Sequence, residues 1–235
     1  MKTIFITLSL ILLTFASCES IPVAQNDSST NITSGDNTQI VVEPNTSADR
    51  IALYWESTTE KHPERKPWSD AIHANTEKYF DIYDSAKDAT RFCPKYKSLS
   101  KDFKKKAIGE FLVALSYYES TTHHNSSEQS WNPLAEAVDV GTKNDKGSWS
   151  VGLFQMSGND EAAKALKVDY LGLKDPIKNI NVAMYQFNTQ IKNTGLFILP
   201  NSSKYRYWAV ALDGNKYSKV ASIIERVLKN APNCK

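Results

Sequence analysis

Few features of this sequence are extreme, and the absences exclude a good deal. Cysteine is scarce, three in 235 residues, too few to build a domain on disulfides alone. Net charge is almost absent: 28 Lys and Arg against 26 Asp and Glu leave +2, without the basic excess of a nucleic-acid binder. No apolar run approaches the about 20 residues that a membrane-spanning helix needs. There is no internal repeat, no P-loop, no dinucleotide fingerprint and no Gly-x-Ser-x-Gly elbow. Alternating apolar runs of strand spacing are rare. What is present is 41% hydrophobic and 11% aromatic residues, enough for one real core and too much for a wholly disordered chain.

The first residues read as an export signal. Met1-Lys2-Thr3 gives a short positive region, and Ile4 to Leu13 is an apolar run of ten, the length of a signal-peptide core. It ends in Thr14-Phe15-Ala16-Ser17-Cys18. Two small residues before a cysteine resemble a bacterial lipobox, whose cysteine is acylated and becomes the mature N-terminus; Phe15 stands where an aliphatic residue is preferred. The expectation is a signal peptide over 1–17, a lipid on Cys18, and a periplasm-facing or cell-surface lipoprotein. An ordinary secretory signal, giving a secreted protein, is the alternative. With Cys18 acylated, Cys93 and Cys234 remain as an even pair for a disulfide in an oxidising compartment.

Residues 18–50 are crowded with Ser, Thr, Asn and Asp and hold no aromatic side chain. Such a segment buries too little apolar surface to offset its ordering entropy, so it reads as a disordered tether. A mainly α globular domain is expected over 51–235. Ser69 reads as the cap of a segment running to about Ala89. Ser100 and Asp102 precede a helix with Ile108, Phe111, Leu112, Leu115 and Tyr118 on one stripe. Pro176 opens a third helix along Ile177, Ile180, Met184, Phe187 and Ile191. A last one carries Val220, Ile223, Ile224, Val227 and Leu228 and stops before Pro232.

Two features carry chemistry. Glu119 lies eleven residues after Ile108, which at 100° per residue puts it about 20° from the centre of the buried stripe. A carboxylate there is costly unless paired or useful, and partial burial would raise its pKa toward what a general acid needs. A frayed helix end facing solvent is the plain alternative. The second feature is Gly147-Ser148-Trp149-Ser150-Val151-Gly152-Leu153-Phe154-Gln155-Met156-Ser157. Its two glycines and small hydroxyl residues suggest backbone lying close to a ligand, and Gln155 could bond a sugar hydroxyl or amide. Trp131 and Trp149 flank this region and could stack on sugar rings or simply pack.

Tyr118-Glu119-Ser120 at a helix end, followed after a polar loop by Ser150-Val151-Gly152-Leu153-Phe154-Gln155-Met156-Ser157, resembles the soluble lytic transglycosylase branch of the lysozyme-like superfamily. Asp175-Pro176 with Asn179-Ile180-Asn181, and Tyr207-Trp208-Ala209-Val210, look like that family's next two helices, so the resemblance covers about 90–231. It implies a lysozyme-like domain whose buried helix ends in the catalytic Glu119, acting as single acid and base on the β-1,4 bond between N-acetylmuramic acid and N-acetylglucosamine in peptidoglycan. Ser120, Ser150, Gly152, Leu153, Gln155 and Tyr207 would meet the glycan strand. Two departures stand out: the Ser120–Gly147 loop is long, and Ala211-Leu212-Asp213 replaces the family's Ala-Tyr-Asn.

A true lysozyme would want a second acid, for which Glu128, Glu136, Asp139, Asp145 and Asp160 are the candidates. In the lytic route the sugar's own N-acetyl group and 6-hydroxyl suffice. His123 and His124 are adjacent in a polar loop and read as surface, so no metal and no cofactor are expected. The expected partners are peptidoglycan strands and, through the lipid, the membrane; the protein is expected to be a monomer. A non-catalytic wall-binding or adhesion lipoprotein on the same fold is the alternative from another class.

Overall fold

The computed structural model describes residues 52–56, 63–121, 142–143 and 149–235. Cys18, the tether, His123, His124, Trp131, Gly147 and the acids Glu128, Glu136, Asp139 and Asp145 lie outside these residues.

A 3-10 turn at Pro63–Arg65 leads into helix α1 (Lys66–Lys78), with Pro67 in the first turn, where its missing N–H leaves no bond unmade. The helix therefore begins before Ser69. That residue is no cap: it is buried within the helix and its Oγ accepts from the Trp55 indole N–H at 2.8 Å. Nor does one segment run to Ala89. The backbone breaks at Tyr79 (φ −109°, ψ 14°), and α2 (Phe80–Asp84) and α3 (Ala89–Phe92) follow as short helices. The break turns Tyr83 inward, where its hydroxyl donates to the Met184 carbonyl at 3.2 Å.

Helix α4 (Lys101–Thr121) is the centre of the domain. The Ser100 carbonyl accepts its first amide bond, from Lys104 at 3.0 Å, and every residue from Ala107 to Leu115 outside Gly109 and Glu110 belongs to the hydrophobic core. A short helix, α5 (Glu161–Ala165), precedes α6 (Pro176–Thr194). The Asp175 carboxylate caps α6 by accepting from the amides of Ile177 and Lys178, and Gly195 ends it in the left-handed conformation (φ 71°). Helix α7 (Val220–Asn230) packs on α4, and α1 packs on both α4 and α6. At the centre Phe92 meets Phe111 and Phe197, each with ring centroids 4.9 Å apart, and Phe187 lies 5.4 Å from Phe197. Such pairs contribute roughly 0.5–1.5 kcal/mol each beyond their buried area. The domain is mainly α.

Cys93 and Cys234 form the expected disulfide, joining the end of α3 to the last residues of the chain. The strands are short. β1 (Thr142–Lys143), β2 (Trp149–Val151) and β3 (Met156–Ser157) form an antiparallel sheet in that order. β4 (Leu199–Pro200) and β5 (Leu212–Asp213) pair in parallel, Leu199 opposite Leu212. This second pairing corrects the helix expected at Tyr207–Val210. Only a 3-10 turn forms, Ala209–Ala211, because Leu212 must be extended to reach Leu199. Asp213 is held by the Arg91 guanidinium through two bonds of 2.7 and 3.2 Å.

Candidate active site

Two carboxylates lie on α4 nine residues apart, two and a half turns, and so on opposite faces: Glu110 is buried, and Glu119 is half-buried with its Oε1 enclosed. Glu110 faces the point where residues 52–56 meet the helix. Its Oε1 accepts from the Lys106 ammonium at 2.6 Å and from the Tyr54 amide at 3.0 Å, so it is a paired structural group. Glu119 differs. Its Oε1 is buried with no hydrogen-bond partner among the described residues. Burial pushes its carboxyl up to about 8, and the Val210 backbone N–H pulls it only partly back. Glu119 is therefore largely protonated at neutral pH, and it stands within α4, which continues to Thr121.

The 3-10 turn at Ala209–Ala211 packs against α4, bringing Val210 and, before it, Tyr207 to Glu119. The Tyr207 hydroxyl donates to the Asp160 carboxylate, which also accepts from the Ser157 amide at 2.7 Å. Burial, reinforced by the negative charges of Asp160 and Glu119, pushes the Tyr207 phenol far up and keeps it a protonated donor. Asp160 is thus the one candidate second acid within the described residues, and its charge is spent on orienting Tyr207. Trp208 completes the junction: its indole N–H donates to the Phe154 carbonyl at 3.0 Å, tying this turn to the β2–β3 loop.

That loop, from Val151 to Met156, reverses the chain through two left-handed residues, Gly152 (φ 80°) and Gln155 (φ 49°). A Cβ on residue 152 would lie 2.2 Å from the Asn179 amide nitrogen and 2.9 Å from the Leu173 carbonyl, so only glycine fits. Within the domain, the close approach that this glycine permits is to Asn179. Asn179 is fully buried on α6; its Nδ2 donates to Val151 and Leu173 carbonyls (2.8 and 3.0 Å) and its Oδ1 accepts from the Phe154 amide (3.0 Å). A polar residue beside Ile180 at the start of an apolar stripe was the available sequence signal for this brace. Gln155, a non-glycine residue in strained backbone, donates from Nε2 to the Gly152 carbonyl at 3.1 Å.

The residues expected to meet saccharide therefore divide. Tyr207 stands beside Glu119, and Ser150 sits half-buried in β2 opposite Ser157. Leu153 is fully buried in the core. Ser120 is buried as well and its hydroxyl donates to the Ser116 carbonyl at 2.8 Å, back into its own helix. Leu153 and Ser120 thus pack inside the domain, and Gly152 turns the β2–β3 loop against Asn179.

No family model and no curated protein matches this chain. The fold is that of a mainly α domain with solved relatives in shape. Structures of Bd0314 DslA, a Bdellovibrio protein, superpose on it at 22% identity: the wild-type form 2 with a TM-score of 0.60, over 79% of this chain and 98% of that one. A variant of the same protein with one glutamate changed to glutamine gives 0.59 over the same shares, and a second such variant gives 0.58 over 75% and 95%.

Proposed function

We propose that the protein is an exported peptidoglycan glycosidase of the lysozyme-like superfamily, a lytic transglycosylase with Glu119 as its single acid and base. The observation that carries this reading is the Glu119 carboxyl near the end of α4, its Oε1 buried with no cation beside it among the described residues and its pKa raised to about 8, beside the protonated Tyr207 hydroxyl. The protonated carboxyl gives its proton to the glycosidic oxygen as the bond from C1 of N-acetylmuramic acid breaks. The sugar's N-acetyl oxygen stabilises the resulting cation at C1. The 6-hydroxyl then closes on C1, returning its proton to the Glu119 carboxylate and leaving a 1,6-anhydro ring.

A lysozyme-type hydrolase would instead activate water with a second carboxylate at a set distance. The engagement of Asp160 with Tyr207 and Ser157 favours the lytic route among the described residues. Mass spectrometry of digested peptidoglycan is the test: anhydro-muropeptides are expected, and ordinary reducing muramic acid would assign a hydrolase. Deacetylated glycan should be cut far more slowly than acetylated, because the N-acetyl group takes part.

The disulfide suits an oxidising compartment, in keeping with export. Lipidation at Cys18 belongs to the same proposal. Cys18→Ser should release the protein from the membrane fraction or block its processing, since the thioether needs that sulfur; equal membrane recovery of both forms counts against a lipid there.

A further inference from the structure

The cavity of about 230 Å³ on the sheet side of the domain is lined by Trp149, Ser157, Gly158, Asn159 and Tyr170. Two of its walls are aromatic and wet: Trp149 is 51% exposed and Tyr170 38%. They come from different elements, the start of β2 and the turn before the 3-10 helix Gly172–Lys174. Their convergence is built. A Cβ on residue 158 would lie 3.1 Å from the Tyr170 amide nitrogen, so glycine lets the loop after β3 run against the 169–172 turn. That turn is fixed by the Asp169 carboxylate, which accepts from the Gly172 amide at 2.7 Å. The Lys174 ammonium stands 5.6 Å from the Tyr170 ring centroid and steadies the phenol.

The chemistry of the lining selects the ligand. The described residues lining the cavity carry no charged side chain. Aromatic walls over a floor of Ser157 and Asn159 suit a neutral ring with apolar C–H faces and polar edges, which describes a pyranose. Ser157 also joins the cavity to the reacting centre. Its amide donates to Asp160, and Asp160 holds Tyr207 beside Glu119. We propose that the Trp149–Tyr170 cavity is a saccharide subsite that seats one N-acetylhexosamine ring of a strand whose cleaved bond lies at Glu119. Its place on a cleaved strand rests on the glycosidase reading; its affinity for sugar does not.

The test is titration of chitohexaose into the full chain carrying Glu119→Gln, by calorimetry and tryptophan fluorescence. Trp149→Ala and Tyr170→Ala are each expected to weaken binding about tenfold, while Trp149→Phe, which keeps a stacking ring, stays within about threefold of the parent. Circular dichroism of each variant checks the fold. Equal affinity across all variants, or no binding by the parent, overturns the subsite. Wall digestion by the same substitutions on the active background separates the two ideas. An active protein whose KM ignores Trp149 and Tyr170 keeps the reading for Glu119 and loses the subsite. An inactive protein that still holds chitohexaose through both rings keeps the subsite and loses the glycosidase.

Discussion

Glu119→Gln is expected to abolish digestion of purified peptidoglycan while leaving the domain folded. The amide fits the same space but has no proton to give to the leaving oxygen. General-acid catalysis is worth roughly 10²–10⁴-fold, so turbidity clearance should fall by at least about 10²-fold. The pH profile carries the same signature. With the carboxyl raised to about 8, the donor form persists through neutrality, and kcat/KM should fall as pH rises through about 8. Stability should move with it. The folded carboxyl titrates well above its ordinary 4.5, so the wild type is unpenalised below that value and loses stability as pH rises through about 8. At about 1.4 kcal/mol per unit the loss is a few kcal/mol, and Glu119→Gln escapes it. The variant should therefore melt above the wild type at pH 9 and beside it at pH 4. Undiminished clearance by the variant would sink the assignment of Glu119; equal melting at both pH values would show that its carboxyl is not raised.

Breaking the buried Cys93–Cys234 bridge is expected to cost the domain several kcal/mol of stability. The two cysteines are 141 residues apart, and closing a loop of that length removes about 5 kcal/mol of unfolded-chain freedom on the entropy model. Removal of a native bridge costs about 2–5 kcal/mol in practice, which for a domain of this size lowers Tm by about 10 °C. Cys93→Ser and the double serine variant should melt alike, since each removes the same tie, and reductant should bring the wild type down to them. A wild type whose Tm ignores reductant would mean that the bridge is absent or carries no stability.

The sequence by itself determined the helices whose pattern is repeated over several turns. Ile108 to Tyr118 and Ile177 to Ile191 can bury one face only as helices, and Pro176 marks the start of the second chemically. It determined the disulfide by parity, once one cysteine was assigned to the membrane. It also drew attention to Glu119, because a carboxylate in line with an apolar stripe is an anomaly that periodicity alone reveals. Short-range pattern was weaker where a distant partner chose the conformation. Ser69 has the chemistry of a cap and became a buried acceptor because the Trp55 indole needed one. The family resemblance implied a helix at Tyr207–Val210, which forms only a 3-10 turn because Leu212 pairs with Leu199. The glycine of the β2–β3 loop reads from sequence as room for a ligand, and only the structure shows that it makes room for Asn179. Only the tertiary structure could tell Glu110 from Glu119, one neutralised by Lys106 and the other with no cation beside it among the described residues, or give Asp160 to Tyr207. The physical reason is common to all of these. Periodicity records which face of a segment leaves water, whereas the state of a charged or hydroxyl group depends on the nearest few atoms, and the chain supplies those from far away.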